Sequence, residues 1–296
     1  MKIWIDSSAF KTDSENLLPE GALFGMKYLQ KSGCILSFRT DDISARQREL
    51  ILNEQILSAG FEPDSGEGII KKEDELELVN RKSETVAAGS DWIELSDAIL
   101  FPQRKAALSR KTNETNIEIS VNLDGKGLSE IDTGLSFFDH MLDQLSRHGL
   151  VDLTLSCNGD LNVDEHHTIE DTAIALGNVL SKAVNKNKVG IQRYGFVLPM
   201  DEAEATVSID LSDRPYLKWD VNFKREYIGD FPTEMAEHFF HTLAMNLKAT
   251  IHIQAEGKNE HHVIEAVFKG FARAFRFAIS RNERMKDILP TTKGTI

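Results

Sequence analysis

Histidine is missing from the first 139 residues of this 296-residue chain, and all nine copies fall between His140 and His262. Whatever chemistry rests on imidazole therefore belongs to the C-terminal part. Cysteine is almost as scarce. Cys34 and Cys157 are too few for a disulfide framework, and neither sits in a pair with metal-ligand spacing. Long apolar runs are also lacking: no window approaches the roughly 18 uninterrupted apolar residues of a membrane span. The start, Met1 to Asp13, carries Lys2, Asp6, Lys11 and Asp13 and has no apolar stretch of signal-peptide length. The expectation is a cytoplasmic protein. Positive charge is in deficit, 34 Lys and Arg against 47 Asp and Glu for a net charge of −13. That balance argues against a nucleic acid or an anionic membrane as partner, while leaving room for a local basic pocket that takes a phosphate. A small molecule is the expected partner.

What is present is ordinary for a folded protein, with 41% hydrophobic and 27% charged residues. The length suggests two domains. A linker is expected around Phe101 to Thr115, where Pro102 and the polar run Arg104, Lys105, Arg110 and Lys111 interrupt apolar periodicity. This places the boundary near residue 105 and gives domains 1–105 and 106–296. The first opens with the strand-like Lys2-Ile3-Trp4-Ile5 ending in Asp6. A helical pattern, Ala22, Met26 and Leu29, follows, then Gly33 and a second short strand from Cys34 to Phe38. Strand, helix, strand with a glycine break reads as a small parallel α/β unit.

The C-terminal part repeats itself, with halves of about 108–195 and 196–285. Glu114 to Leu123 aligns without gaps on Glu202 to Leu211, both as alternating strands. Phe138-Asp139-His140 opens a helix with apolar residues at 138, 141, 142 and 145, stopped by Gly149, and Ala236-Glu237-His238 opens its counterpart. Strands follow at Leu153 to Ser156 and Thr250 to Gln254. Then come Glu165-His166-His167-Thr168-Ile169-Glu170 and Glu260-His261-His262-Val263-Ile264-Glu265, each leading into a second helix.

Two copies of His-His-x-x-Glu point to metal. A helix turns about 100° per residue, so residues i and i+4 share a face while i+1 points away. His166 and Glu170 can hold one ion and His261 and Glu265 another, leaving His167 and His262 over. If the halves pack about a pseudo-twofold axis, each leftover histidine can complete the other half's site, and His140 and His238 supply one ligand more. The expected sites are His166, Glu170, His238 and His262, and His140, His167, His261 and Glu265, completed within one chain or between neighbouring subunits. Imidazole with carboxylate and no thiolate suits manganese, iron or zinc. Four ligands on an octahedral ion leave two positions open, as in a catalytic site. His148, His241 and His252 have no repeated partner and read as structural or surface residues.

Across residues 108 to 296 the chain resembles the imidazole glycerol phosphate dehydratase family. The resemblance rests on Lys111-Thr-Asn-Glu114-Thr-Asn, Phe138-Asp139-His140-Met141-Leu142, Asp164 to Asp171, Leu211-Ser-Asp-Arg214-Pro, Glu237-His238-Phe-Phe, Glu260 to Ala266 and the tail Pro290-Thr-Thr-Lys293-Gly. It implies a hydro-lyase of histidine biosynthesis that converts imidazole glycerol phosphate to imidazole acetol phosphate. It also implies two manganese ions per chain, two fused α/β halves resembling a ribosomal-protein-like domain, and trimers joined into a 24-subunit homo-oligomer. Residues matching the family's substrate-binding positions are Glu114, Arg193, Arg214, Thr291, Thr292 and Lys293, with Glu114 the candidate general base or acid. The tail has Thr-Thr where the family more often has Ser-Ser, which keeps the hydroxyls. The N-terminal layout resembles the haloacid-dehalogenase phosphatases, found as a histidinol phosphatase domain in some members of the dehydratase family. Asp6-Ser7-Ser8 lacks the second Asp of that motif, so a degenerate, inactive domain is expected. The alternatives are a dinuclear metallohydrolase acting on a phosphate ester, and a metal-storage shell, which would need no phosphate clamp.

Overall fold

Strand β1 (Lys2–Ile5), its residues Ile3 to Ile5 buried, is an interior strand of the first sheet, and short helical and strand segments follow it. These are α1 (Ala22–Lys31), β2 (Ile35–Ser37), α2 (Ala45–Asn53), β3 (Gly68–Lys72), β4 (Leu76–Asn80), β5 (Thr85–Gly89) and α3 (Trp92–Leu100). The computed structural model describes residues 1–14, 17–184, 188, 190–281, 284–285 and 288–293, and the chain divides into two units, Met1–Gln103 and Arg104–Ile296.

The first unit is a five-stranded sheet of order β2-β1-β3-β4-β5. The parallel β1–β2 pair is the strand-helix-strand unit read from the sequence. β3 extends it in parallel, while β4 and β5 are antiparallel additions that the sequence reading did not resolve. Its core gathers Ile3, Phe10, Met26, Leu36, Ile70 and Trp92. Helix α1 approaches α3 closely at Gly25, where a Cβ would stand 2.6 Å from the Trp92 carbonyl oxygen.

The second unit is mixed α/β. It begins with β6 (Lys105–Lys111), inside the segment expected to be a linker. That expectation fails because β6 is an edge strand. Ala106 and Leu108 turn onto the core while the alternate positions face solvent, so the charges that broke the apolar pattern are those of an exposed edge. Then come β7 (Thr115–Asn122), β8 (Ser129–Asp132), α4 (Ser136–Gly149), β9 (Asp152–Gly159) and α5 (His166–Val184). After these follow β10 (Tyr194–Met200), β11 (Ala203–Asp210), β12 (Tyr216–Val221), a ribbon of β13 (Tyr227–Ile228) and β14 (Phe231–Pro232), α6 (Glu234–Leu247), β15 (Thr250–Glu256) and α7 (Glu260–Ala278).

Two four-stranded sheets share one pairing pattern. In β6-β7-β9-β8 and in β10-β11-β15-β12 the first two pairs are antiparallel and the last is parallel. Helices α5 and α4 lie on the first sheet and α7 and α6 on the second. Between the layers α5 packs on α6, and α4 on α7. The apolar spacing of the helices explains the sandwich: Phe138, Met141, Leu142 and Leu145 on α4, and Val263, Ile264, Val267, Phe268, Phe271 and Phe275 on α7, are all buried. Fully burying each such side chain contributes about 1.5–3 kcal/mol. Gly149, the expected stop of α4, is its last helical residue instead, and Leu150 takes the left-handed turn at φ 52°. Lys248 does the same after α6 at φ 58°. No helix among the described residues is long and apolar enough to cross a membrane.

Candidate metal centre

The six histidines of the repeated motifs, His140, His166, His167, His238, His261 and His262, sit in the first two turns of the four sandwiched helices. The second helix of each half starts under the same type of cap: Asp164 accepts the His166 N–H at 2.9 Å, and Asn259 accepts that of His261 at 3.1 Å. The caps fix the first turn, so the i, i+4 spacing aligns His166 with Glu170 and His261 with Glu265. The α5–α6 and α4–α7 packing then brings a third ligand from the other half.

In one group, Glu170 lies between two rings, its Oε2 3.4 Å from His166 Nε2 and its Oε1 3.5 Å from His238 Nε2. In the other, Glu265 does the same, with Oε2 3.4 Å from His261 Nε2 and Oε1 3.8 Å from His140 Nε2. The three ligand atoms of each group lie within 4.8 Å of one another. Imidazole nitrogens converging on a carboxylate form a donor set for a borderline divalent ion. The sharpest sign is His238 Nε2, which is buried and, among the described residues, has no hydrogen-bond partner. A buried polar atom left so costs about 1–3 kcal/mol, and a bound cation satisfies it. The groups also differ in their surroundings. Lys269, one turn beyond Glu265, places Nζ 2.7 Å from Glu265 Oε1.

His167 and His262 do not join either group within the chain. They lie about 100° around their helices from His166 and His261, and each is held by a carboxylate outside the groups. His167 Nδ1 stands 3.1 Å from both Asp160 oxygens, and His262 Nδ1 3.0 Å from Glu202 Oε2. The hydrogen bond that Asp160 accepts raises the pKa of His167 above its ordinary value, and the one that Glu202 accepts raises His262. Glu202 is drawn down to about 2, first by its bond to His262 and then by the Asn259 N–H. Glu114, half exposed, lies on the far side of the His167 ring with Oε1 3.7 Å from Nε2.

The expected phosphate-binding residues are elsewhere. Arg193 Nε donates to Asp210 Oδ2 at 2.8 Å, and an Arg214 Nη2 lies 3.5 Å from the same oxygen. A cavity of about 290 Å³ opens beside them, lined by Arg193, Asp210, Thr250 and His252. Asp210 ends β11, whereas Glu202 immediately precedes it. At about 3.3 Å per residue, the eight residues from Glu202 to Asp210 separate the arginine pair from the His262 end by about 26 Å. Thr291 and Lys293 form a local turn, Lys293 N donating to Thr291 Oγ1 at 3.2 Å, with Thr292 exposed between them.

Asp160, Glu202, Lys269 and Asp210 were not singled out from the sequence. Lys269 had the same i+4 signal as the ligands, and Glu202 had its alignment with Glu114. His148, read as structural, is tied to the centre: its Nε2 lies 3.2 Å from Gln144 Oε1, and Gln144 Nε2 lies 3.4 Å from His140 Nδ1. Burial, with the nearby charges of Lys269 and Arg273, lowers the His148 pKa. In the first unit Asp6 accepts the Ser8 N–H at 2.9 Å, and Ser8 Oγ accepts the Lys72 N–H at 3.0 Å. The aspartate caps the short turn Ser7–Phe10, and the residue standing where the motif has its second Asp is a backbone clamp.

Residues 133–275 match a family model described as imidazoleglycerol-phosphate dehydratase. The chain is 50% identical over 195 residues to the imidazoleglycerol-phosphate dehydratase of Cereibacter sphaeroides, covering all of that protein and 65% of this chain. It belongs to the imidazoleglycerol-phosphate dehydratase family. Solved dehydratases agree: that of Staphylococcus aureus is 34% identical with a TM-score of 0.55, and 99% of it and 60% of this chain align. That of Pyrococcus furiosus, in complex with (S)-C348, is 35% identical at the same TM-score and covers 64% of this chain. The chain is also 42% identical over 98% of its length to a histidine biosynthesis bifunctional protein HisB of Spirosoma linguale, spanning 74% of that protein. It spans 55% of the Bacteroides fragilis protein of the same name, at 49% identity.

Proposed function

We propose that the second unit dehydrates imidazole glycerol phosphate to imidazole acetol phosphate in histidine biosynthesis, using two divalent ions, manganese by preference and iron or zinc by the same donor chemistry. The observation that carries the reading is the pair of His-His-Glu groups, each drawn from both halves, with His238 Nε2 buried and without a hydrogen-bond partner among the described residues. Family membership supplies the substrate. The repeated sheet pattern supports two fused halves of the ribosomal-protein-like kind.

The reaction removes a proton from C2 of the glycerol chain and hydroxide from C3, leaving an enol that becomes the ketone. No carbonyl adjoins C2, so the imidazole ring must take up electron density. The groups His166, Glu170, His238 and His140, His261, Glu265 would hold divalent ions, which when bound would supply Lewis acidity. Glu114 is positioned to move the proton. Arg193, Arg214 and Lys293 bind the phosphate by charge, and Thr291 and Thr292 by their hydroxyls.

The site is shared between copies of the chain in this reading. His167 and His262 stand outside their groups, and the arginine pair is at the other end of β11, so neighbouring subunits bring these pieces together, in trimers and then a 24-subunit shell. Purified protein given manganese should hold two ions per chain by elemental analysis and turn over imidazole glycerol phosphate, with activity abolished by chelator. Fewer than two ions, or no turnover, would sink the reading. The first unit we read as a degenerate phosphatase-like domain. Release of phosphate from histidinol phosphate at an enzymatic rate, lost in Asp6→Asn, would contradict this.

A further inference from the structure

The repeat is not symmetric where His167 and His262 are held. Across β7 and β9, Asn116 faces Asn158; across β11 and β15, Glu204 faces Glu256. Counting two residues on from each pair, the first half has Asp160 and the second has Lys258, and an ammonium group cannot accept an Nδ1–H. The second half meets the need from the opposite strand. Glu202, aligned with Glu114, accepts from His262 through Oε2 and from the Asn259 N–H through Oε1 at 2.7 Å. Both of its oxygens are engaged. Glu114 has no such duty, because Asp160 already holds His167. Among the described residues its carboxylate accepts no hydrogen bond, and it faces the other ring nitrogen of His167.

We propose that the two halves have divided the work of one glutamate position: Asp160 and Glu202 are positioning residues that hold His167 and His262 with Nε2 outward for metal, which leaves Glu114 alone to move a proton. The proposal rests on the metal-dependent reading above. A carboxylate accepting Nδ1–H fixes the tautomer and the ring orientation and increases the donor strength of Nε2. Loss of such a partner typically weakens metal binding about 10–100-fold. Asp160→Ala and Glu202→Ala should each weaken one of two manganese sites by that factor. Asp160→Asn and Glu202→Gln, whose amides keep the shape and a neutral acceptor, should weaken it less. Glu114→Gln should keep both affinities while kcat falls about 10²–10⁴-fold.

The test is titration of the chelator-stripped full-length protein with manganese, followed calorimetrically, with melting of the metal-free variants alongside. Positioning predicts weakened binding with the metal-free melting temperature of the amide variants unchanged. Wild-type affinity at both sites in Asp160→Ala and Glu202→Ala, or metal loss in Glu114→Gln equal to theirs, overturns the proposal. Failure of the wild-type chain to bind two ions overturns the functional reading instead, so the two failures are distinct.

Discussion

Asp124 anchors the start of the second unit. It accepts from the Arg104 backbone N–H at 2.8 Å and from that guanidinium at 3.2 and 2.7 Å. Burial pushes its carboxyl up, but the Arg104 hydrogen bonds and charge outweigh it, so its pKa lies below the usual carboxylate value. A depressed folded pKa contributes stability that is present above the unfolded value, near about 3.9, and is lost as pH falls through the folded one. Asp124→Asn should therefore cost about 1–2 kcal/mol at pH 7, and the gap from wild type should close below about pH 4. Denaturant unfolding at both pH values measures this. A gap of equal size in acid would show that shape, not charge, is at stake. At this scale the two His-Glu pairs that could hold metal were legible, because His166 with Glu170 and His261 with Glu265 repeat a spacing that one helix turn dictates. Asp160 and Glu202 were not. They act from strand ends and loops, where no period links a residue to its partner.

The helices owe their contacts to small residues as much as to apolar ones. Gly177 of α5 meets α6, where a Cβ would lie 2.6 Å from Asn246 Cβ and 2.9 Å from the Leu247 backbone N. Alanine gains about 1 kcal/mol in helix propensity, but overpacking against backbone costs about 1–3 kcal/mol. Gly177→Ala should be destabilising overall, and it should loosen the group of His166, Glu170 and His238 while sparing that of His140, His261 and Glu265. Metal titration should show one weakened site, and equal weakening of both would refute the local effect. Periodicity announced the helices and alternating strands of the second unit. It failed at β6, where Lys105 and Lys111 on the solvent face and Arg110, paired with Asp171, on the other break the apolar pattern, and in β3 to β5, where Lys71, Lys72, Glu75 and Glu77 obscure short apolar runs.

Within one chain the His262 end and the Arg193 end of the β11 sheet lie apart. If His262 and Arg193 serve one site only through separate copies, inactive His262→Ala and Arg193→Ala chains should regain activity when dissociated and reassembled together. Two copies with complementary lesions can build an intact site, and none can form from either variant alone. Mixed assemblies as inactive as their parents would place both residues in one copy's site. The paired groups also tie distant parts of the chain, His140 to His261 and His166 to His238. Metal bound there is a ligand of the folded state alone, so folding stability becomes a readout of the free ion. By mass action each site should contribute about 1.4 kcal/mol per tenfold rise in free ion above its dissociation constant. The heat tolerance of the chain would then follow the logarithm of available metal, making this protein a gauge of the metal supply it depends on.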